Sequence, residues 1–319
     1  MTESHPPVAV LLMAYGSPDS LEDIEAYLLD IRGGRPTSPE LVAEIKERYA
    51  LIGGRSPILD LTRQQAAALE ARLNRDGDRR FRTYVGMRHW QPRIKAAVAQ
   101  IAQDGIIHVI ALAMAPHYSK LSTGAYFNRL DEAIRELGAP LTVTPIQSWH
   151  DQPGLIDALA EKATAALARF PSGLGPSASS PASPAPKVVF TAHSLPARIL
   201  KEGDPYDAQL RETARLLAGR LALPADRWRF CYQSAGRSPE PWLGPPIEDV
   251  LLEMVRAGEK RLLVVPIGFV CDHVEILYDL DIAARKLVEA HGAHFERSES
   301  LNASPTFIAA LAEIVKRET

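Results

Sequence analysis

RLLVVPIGFVCDHVEILYDLDIAARKLVEA, residues 261–290, runs from an apolar stretch into an acidic amphipathic one with no turn signal between them. Up to Cys271 it reads as a buried β-strand, strand-sized and rich in branched apolar residues. Beyond it, EILYDLDIAARKLVEA reads as a helix. A strand feeding directly into a helix is a βα unit, and the unit recurs along the chain. Before residue 171 it occurs four times: VAVLLMAY before a helix near residues 20–32, RTYVGMRH before PRIKAAVAQIAQD, IIHVIALAMAPH before a helix near 122–137, and LTVTPIQSW before GLIDALAEKATAALARF. After residue 187 it occurs four times more: KVVFTAHSLP before DAQLRETARLLAGRL, WRFCYQS before PIEDVLLEMVRAGE, the quoted stretch itself, and HFERSESL before SPTFIAALAEIVKR.

This alternation predicts an α/β protein of two similar Rossmann-like halves, each a four-stranded parallel sheet flanked by helices. The halves are expected over residues 1–170 and 188–319, with the last helix free to pack back on the first half. Between them, PSGLGPSASSPASPAPK (171–187) is almost wholly Pro, Ser, Ala and Gly. Too little apolar surface is present to offset its ordering entropy, so it reads as a flexible insertion.

Composition narrows the class. The 319 residues are 46% apolar, enough for a substantial core. A net charge of −3 gives no reason to expect nucleic acid as a partner. The start, MTESHPP, has no secretory character, and no apolar run nears the roughly 20 residues of a membrane span. Two cysteines, Cys231 and Cys271, exclude a disulfide framework and a four-cysteine cluster within the chain. A soluble, cytoplasmic monomer is expected.

In parallel α/β sheets, ligands bind beyond the carboxyl ends of the strands. The residues there are Tyr15, Arg88 and His89, His117, His193, Gln233 and the 272–281 cluster. Any one strand-end histidine is most simply a turn brace; for His89, His117, His193 and His273 as a set, a shared site is the better reading. If helix continues directly after Cys271, then Asp272, Glu275 and Asp279 share one face, and three like charges there need solvent or a cation. Arg48 lies within the Leu41, Ile45, Ile52 stripe of a helix capped by Ser38 and Pro39. Arg32 ends the preceding helix. Each arginine either snorkels or complements a helix dipole, or pairs with an anionic group on an apolar ligand. No GxGxxG, Walker-type loop, HExxH or GxSxG occurs, which disfavours nucleotide and hydrolase chemistry. The inventory suits a large apolar ligand with peripheral carboxylates and a reactive centre involving metal or protons.

Three segments, TAHSLP with His193, YQSAGRSPEPWLGP at 232–245 and GFVCDHVEILYDLD with Glu275, resemble the ferrochelatases, and the likeness covers nearly everything but 171–187. LLMAYGSP, IRGGR, ERYALIGGRSP, TYVGMRHWQP and APHYSKLSTGAYFNR look like the coproporphyrin III branch. The resemblance implies insertion of ferrous iron, a substrate, into coproporphyrin III to give coproheme in heme biosynthesis, the product passing to a transient acceptor. It implies His193 and Glu275 as the catalytic and metal-binding pair. Tyr15 would lie on the opposite side of the macrocycle, and Arg32, Arg48, Ser56 and Tyr126 at the propionates. Arg88 and His89 match a lysine–histidine pair near the cleft mouth, and Trp242 supports a cleft wall. Asp279 and Asp272 would extend the metal path, although Ala283 replaces the acidic residue usual one turn further on. The cysteines of an iron–sulfur cluster are lacking, so none is expected. Within this reading His193 acts neutral, near its ordinary pKa, and Glu275 is a base raised by its acidic neighbours. The alternatives are a protoporphyrin IX ferrochelatase and a non-catalytic heme-binding or delivery protein.

Overall fold

The computed structural model describes residues 6–75, 80–170 and 185–319. In chain order the elements are β1 (Val8–Ala14), α1 (Ile24–Ile31), α2 (Pro39–Leu51), α3 (Ile58–Leu73), β2 (Phe81–Met87), α4 (Ile94–Gln103), β3 (His108–Ala113), α5 (Thr123–Leu137), β4 (Thr142–Ile146) and α6 (Pro153–Leu167). There follow β5 (Lys187–His193), α7 (Tyr206–Arg220), β6 (Trp228–Gln233), α8 (Ile247–Arg256), β7 (Arg261–Pro266), α9 (Val274–Leu277), a π-helical turn (Asp279–Ala284), α10 (Arg285–Glu289), β8 (His294–Arg297) and α11 (Pro305–Arg317). All eight strands foreseen from the apolar runs are present. They form two four-stranded parallel sheets of the same topology, β2-β1-β3-β4 and β6-β5-β7-β8, flanked by helices as the alternation implied.

Two compact units emerge. The first comprises residues 1–155, 270–274 and 302–319; the second comprises 156–269 and 275–301. Most of the expected insertion, 171–184, lies outside the described residues, and β5 already begins at Lys187.

In the first unit every residue of β1 is buried, as a central parallel strand covered on both faces requires. Its core joins Leu11 and Met13 of β1 to Val109 and Ala111 of β3, Val98 and Ile101 of α4, and Tyr126 and Leu130 of α5. Helices α1 and α2 bury Ile24, Leu28, Val42 and Tyr49 against one another, with Val274 at the edge. The expected stripe of α2 is therefore shifted: Val42 and Tyr49 form its inner edge, Ile45 and Ile52 flank it, and Leu41 is half-exposed. Ser38 caps α2 through a bond from Leu41 N, with Pro39 in the first turn. Helix α3 has no counterpart in the sequence reading, and α11 packs against it. Between them Gln65 of α3 donates from Nε2 to the carbonyls of Val270 (3.1 Å) and Asn302 (3.0 Å), which holds the two distant segments in this unit.

The second unit repeats the plan. Val189 of β5 and Leu262 and Val264 of β7 pack with Leu251 of α8, Ile276 of α9 and Leu280 of the π turn.

Candidate active site

Where neighbouring strands of a parallel sheet send their connections to opposite faces, a crevice opens at their carboxyl ends. In the second unit that point lies between β5 and β7. Strand β5 ends on His193, and the chain leaving β7 re-enters the unit at Glu275 in the first turn of α9. Glu275 Oε2 lies 3.0 Å from His193 Nδ1. A carboxylate can only accept, so Nδ1 carries the proton and Nε2 is left to take a proton or a metal. Burial works against the charged imidazole, but the charge and hydrogen bond of Glu275 and the charge of Asp279 outweigh it, and His193 titrates above the ordinary histidine value. The sequence reading had His193 near its ordinary value. The difference comes from the direct carboxylate contact. The His193 carbonyl accepts from Tyr206 Oη at 3.0 Å, and Ser194 donates to Leu243 O at 2.8 Å, so the end of β5 is fixed on both sides.

The acidic stretch is not one continuous α-helix. Helix begins only at Val274, because residues 271–273 are held as a turn: His273 Nδ1 donates to Cys271 O at 3.0 Å, and Asp272 exchanges two hydrogen bonds with Asn302, N to Oδ1 at 3.0 Å and Oδ2 from Nδ2 at 2.9 Å. Asp272 therefore shares no helix face with Glu275. After α9 the backbone widens to i→i+5 bonds, Ala283 N to Tyr278 O and Arg285 N to Leu280 O. Such π turns recur at functional sites. Asp279 opens this one and accepts a short hydrogen bond from Ser234 Oγ; Ala283 is exposed on it. Among the described residues, no group of three or more His, Cys, Asp or Glu side chains is arranged to hold a metal.

The first unit gathers a second set at the ends of β1 and β2. The backbones of 88–89 and 14–15 pair, Arg88 N to Ala14 O and His89 N to Tyr15 O, each at 2.9 Å. This brings the half-exposed Tyr15 ring to 4.7 Å from the His89 ring. His89 is buried and donates from Nδ1 to Asp30 Oδ2 at 2.8 Å. Arg93 grips both oxygens of Asp30 at 3.0 Å. Burial, helped by the charges of Arg88 and Arg129, pushes His89 down to about 4 against the pull of Asp30, so it is neutral. Arg88 lies over the Tyr126 ring, 5.8 Å from its centre, and opens on a cavity of about 240 Å3 that it lines with Asp30, Arg93 and Arg129.

The remaining candidates stand elsewhere in the first unit. Arg32 is exposed at the end of α1 and has no carboxylate partner among the described residues. Arg48 bonds Glu44, one turn away, at 2.8 Å. Ser56 is buried before α3 and accepts from Ile58 N at 3.4 Å. His117 is buried, its ring 6.0 Å from that of His150. Trp242 packs so closely on Gly236 that a Cβ there would collide with the indole. Both cysteines are buried with thiols pushed up to about 12, which makes them inert packing groups. Asp30, Ser234 and Asn302 were missed from sequence. Their partners lie 59, 45 and 30 residues away, and no local pattern marks such contacts.

The ferrochelatase family model matches residues 7–319. The chain belongs to the ferrochelatase family. A ferrochelatase from Deinococcus radiodurans is 43% identical over 312 residues, 98% of this chain and 96% of that protein. A coproporphyrin III ferrochelatase from a Geobacillus species is 41% identical, covering 97% and 96% of the two chains. The coproporphyrin III ferrochelatase of Bacillus subtilis is 38% identical, covering 98% and 97%. Among solved structures, Bacillus subtilis SirB with Fe3+ aligns with a TM-score of 0.60 over 98% of this chain and 95% of that one; at 11% identity it shares the fold. As a ferrochelatase, the chain takes ferrous iron as a substrate for insertion into a porphyrin, a step of heme biosynthesis. No helix among the described residues is long and apolar enough to cross a membrane.

Proposed function

We propose that this ferrochelatase inserts ferrous iron into coproporphyrin III, giving coproheme, and that His193 and Glu275 handle the metal and the pyrrole protons. The observation that carries the assignment is the 3.0 Å contact between His193 Nδ1 and Glu275 Oε2 at the carboxyl ends of the central strands. Metalation exchanges two pyrrole protons for one ferrous ion. An imidazole with Nε2 free and its basicity raised by Glu275 suits either half of that exchange, as proton acceptor or as ligand. Tyr15 takes the opposite side of the macrocycle, its ring set by His89. Arg32, Arg48, Ser56 and Tyr126 take propionates. Arg32 offers an exposed guanidinium with no carboxylate partner among the described residues, while Arg48 exchanges Glu44 for a ligand carboxylate in a planar, two-bond geometry. Asp279, Asp272, Arg88 and His89 are assigned in the same reading to a secondary metal position or the cleft.

The names of the Geobacillus and Bacillus relatives support the four-propionate substrate. Relatives named simply ferrochelatase are as similar, so the test compares the two porphyrins directly. Steady-state metalation with anaerobic ferrous iron is expected to favour coproporphyrin III, with coproheme as the product by mass. A preference for protoporphyrin IX overturns the substrate assignment. Coproheme binding without turnover of either porphyrin overturns the enzymatic reading.

A further inference from the structure

The segment YQSAGRS, residues 232–238, spans the end of β6 and the chain leaving it, beside His193 and Glu275. Ser234 has φ +57°, a left-handed backbone adopted most readily by glycine and, to a lesser extent, by Asn and Asp. Such conformations persist where the surroundings hold them, and they cluster at functional sites. Here the conformation aims Ser234 Oγ at Asp279 Oδ2, to which it donates a short hydrogen bond. The preceding residue works alongside. Gln233 is 2% exposed; its Oε1 accepts from Thr191 Oγ1 at 3.1 Å, and its Nε2 donates to the Glu275 carbonyl at 2.8 Å and to Ser234 Oγ at 3.4 Å. The end of β6 thus grips the backbone of one acidic residue and the side chain of the next. The grip matters because α9 is only four residues long and passes into the π turn, so its own hydrogen bonds fix it weakly.

We propose that Ser234 is a positioning residue for the metal step, holding the Asp279 carboxylate beside the turn that carries Glu275 so that incoming iron meets two anions. The inference rests on the assignment of His193 and Glu275 to metalation. A hydrated divalent cation is drawn by the summed charge of both carboxylates. The porphyrin, held through its own peripheral groups, does not depend on the second one. Loss of the Ser234 hydroxyl therefore weakens capture of iron and leaves capture of porphyrin unchanged.

The test is a set of steady-state measurements in which each substrate is varied in turn. Ser234→Gly suits the left-handed backbone and removes only the side chain. It is expected to raise KM for ferrous iron by about 10–100-fold, the usual effect of removing a group that orients a ligand, at constant KM for porphyrin. Asp279→Asn is expected to do the same, and the double variant to do no more than either alone. Ser234→Asn, which tolerates the same backbone and carries a donor, is expected to recover part of the loss. An unchanged iron KM in Ser234→Gly, an equal rise in both KM values, or additive effects of the two substitutions overturns the inference and leaves the proposed function standing. A wild-type chain that metalates neither porphyrin overturns both.

Discussion

The imidazole of His193 is subject to two opposed effects: burial penalises its charge, while Glu275 and Asp279 favour it, and the carboxylates prevail. If His193 serves metalation as proposed, His193→Ala is expected to lower the metalation rate by about 10²–10⁴-fold, read as porphyrin loss under anaerobic ferrous iron. Retention of the wild-type rate would take His193 out of the mechanism. The buried histidines of the first unit behave in the opposite way. Burial pushes His89 from 6.5 down to about 4 and His117 down to about 3. Both stay neutral when folded and bind protons once unfolded, so the unfolded chain holds more protons at any pH between those values and 6.5. The stability these two histidines contribute is therefore full above about pH 6.5 and falls as the pH drops towards 4. His89 alone accounts for at most about 3 kcal/mol of that loss. Urea denaturation at pH 7 and pH 5 checks it: His89→Gln is expected to flatten the pH dependence, and an equal slope in both proteins would remove His89 from it. At this scale the sequence placed His193 at the end of a strand and Glu275 in an acidic stretch, and the structure brings the two side chains within 3.0 Å. The sequence did not show what holds them, because Ser234 and Asp30 meet partners that are distant in sequence.

Elements were legible where burial imposes one period. Strands such as VAVLLMA and RLLVVP are covered on both faces and read as unbroken apolar runs. Helix α3 went unseen because two of its buried positions, Thr62 and Gln65, are polar and break the apolar stripe. The π turn has no period that binary patterning reveals, and the turn at 271–273 depends on Asn302 rather than on its neighbours. The chain leaving β7 passes closer to β5 than composition suggests. A Cβ on Gly268 would sit 2.6 Å from Ala192 Cβ and 3.1 Å from Ala192 Cα, next to His193. Since backbone must shift to admit it, Gly268→Ala is expected to cost about 1–3 kcal/mol and to slow metalation by displacing the end of β5. Melting temperature and rate together test this. A fully stable variant at the wild-type rate would show that the close approach is not needed.

At the scale of the molecule, two successive βα series announced two sheets, and both are present with the same strand order. The units are less simple in sequence than the series suggests, because residues 270–274 and 302–319 belong with the first. What places them there is polar and long-range, the Gln65 bonds to Val270 and Asn302, together with the apolar seat of α11. Phe307 of that helix is fully buried, its ring 6.0 Å from the Trp149 ring. Phe307→Ala is expected to cost about 3–5 kcal/mol, read by urea denaturation. A smaller effect would mean that α11 contributes little to the first unit. This interleaving also bears on how the protein is made. Residues 1–155 leave the ribosome long before residues 302–319 exist, and at roughly 5–20 residues per second the delay is on the order of ten seconds. Throughout that interval the nascent first unit lacks the helix that packs against α3, so the apolar seat of Phe307 stays uncovered until the last residues are made.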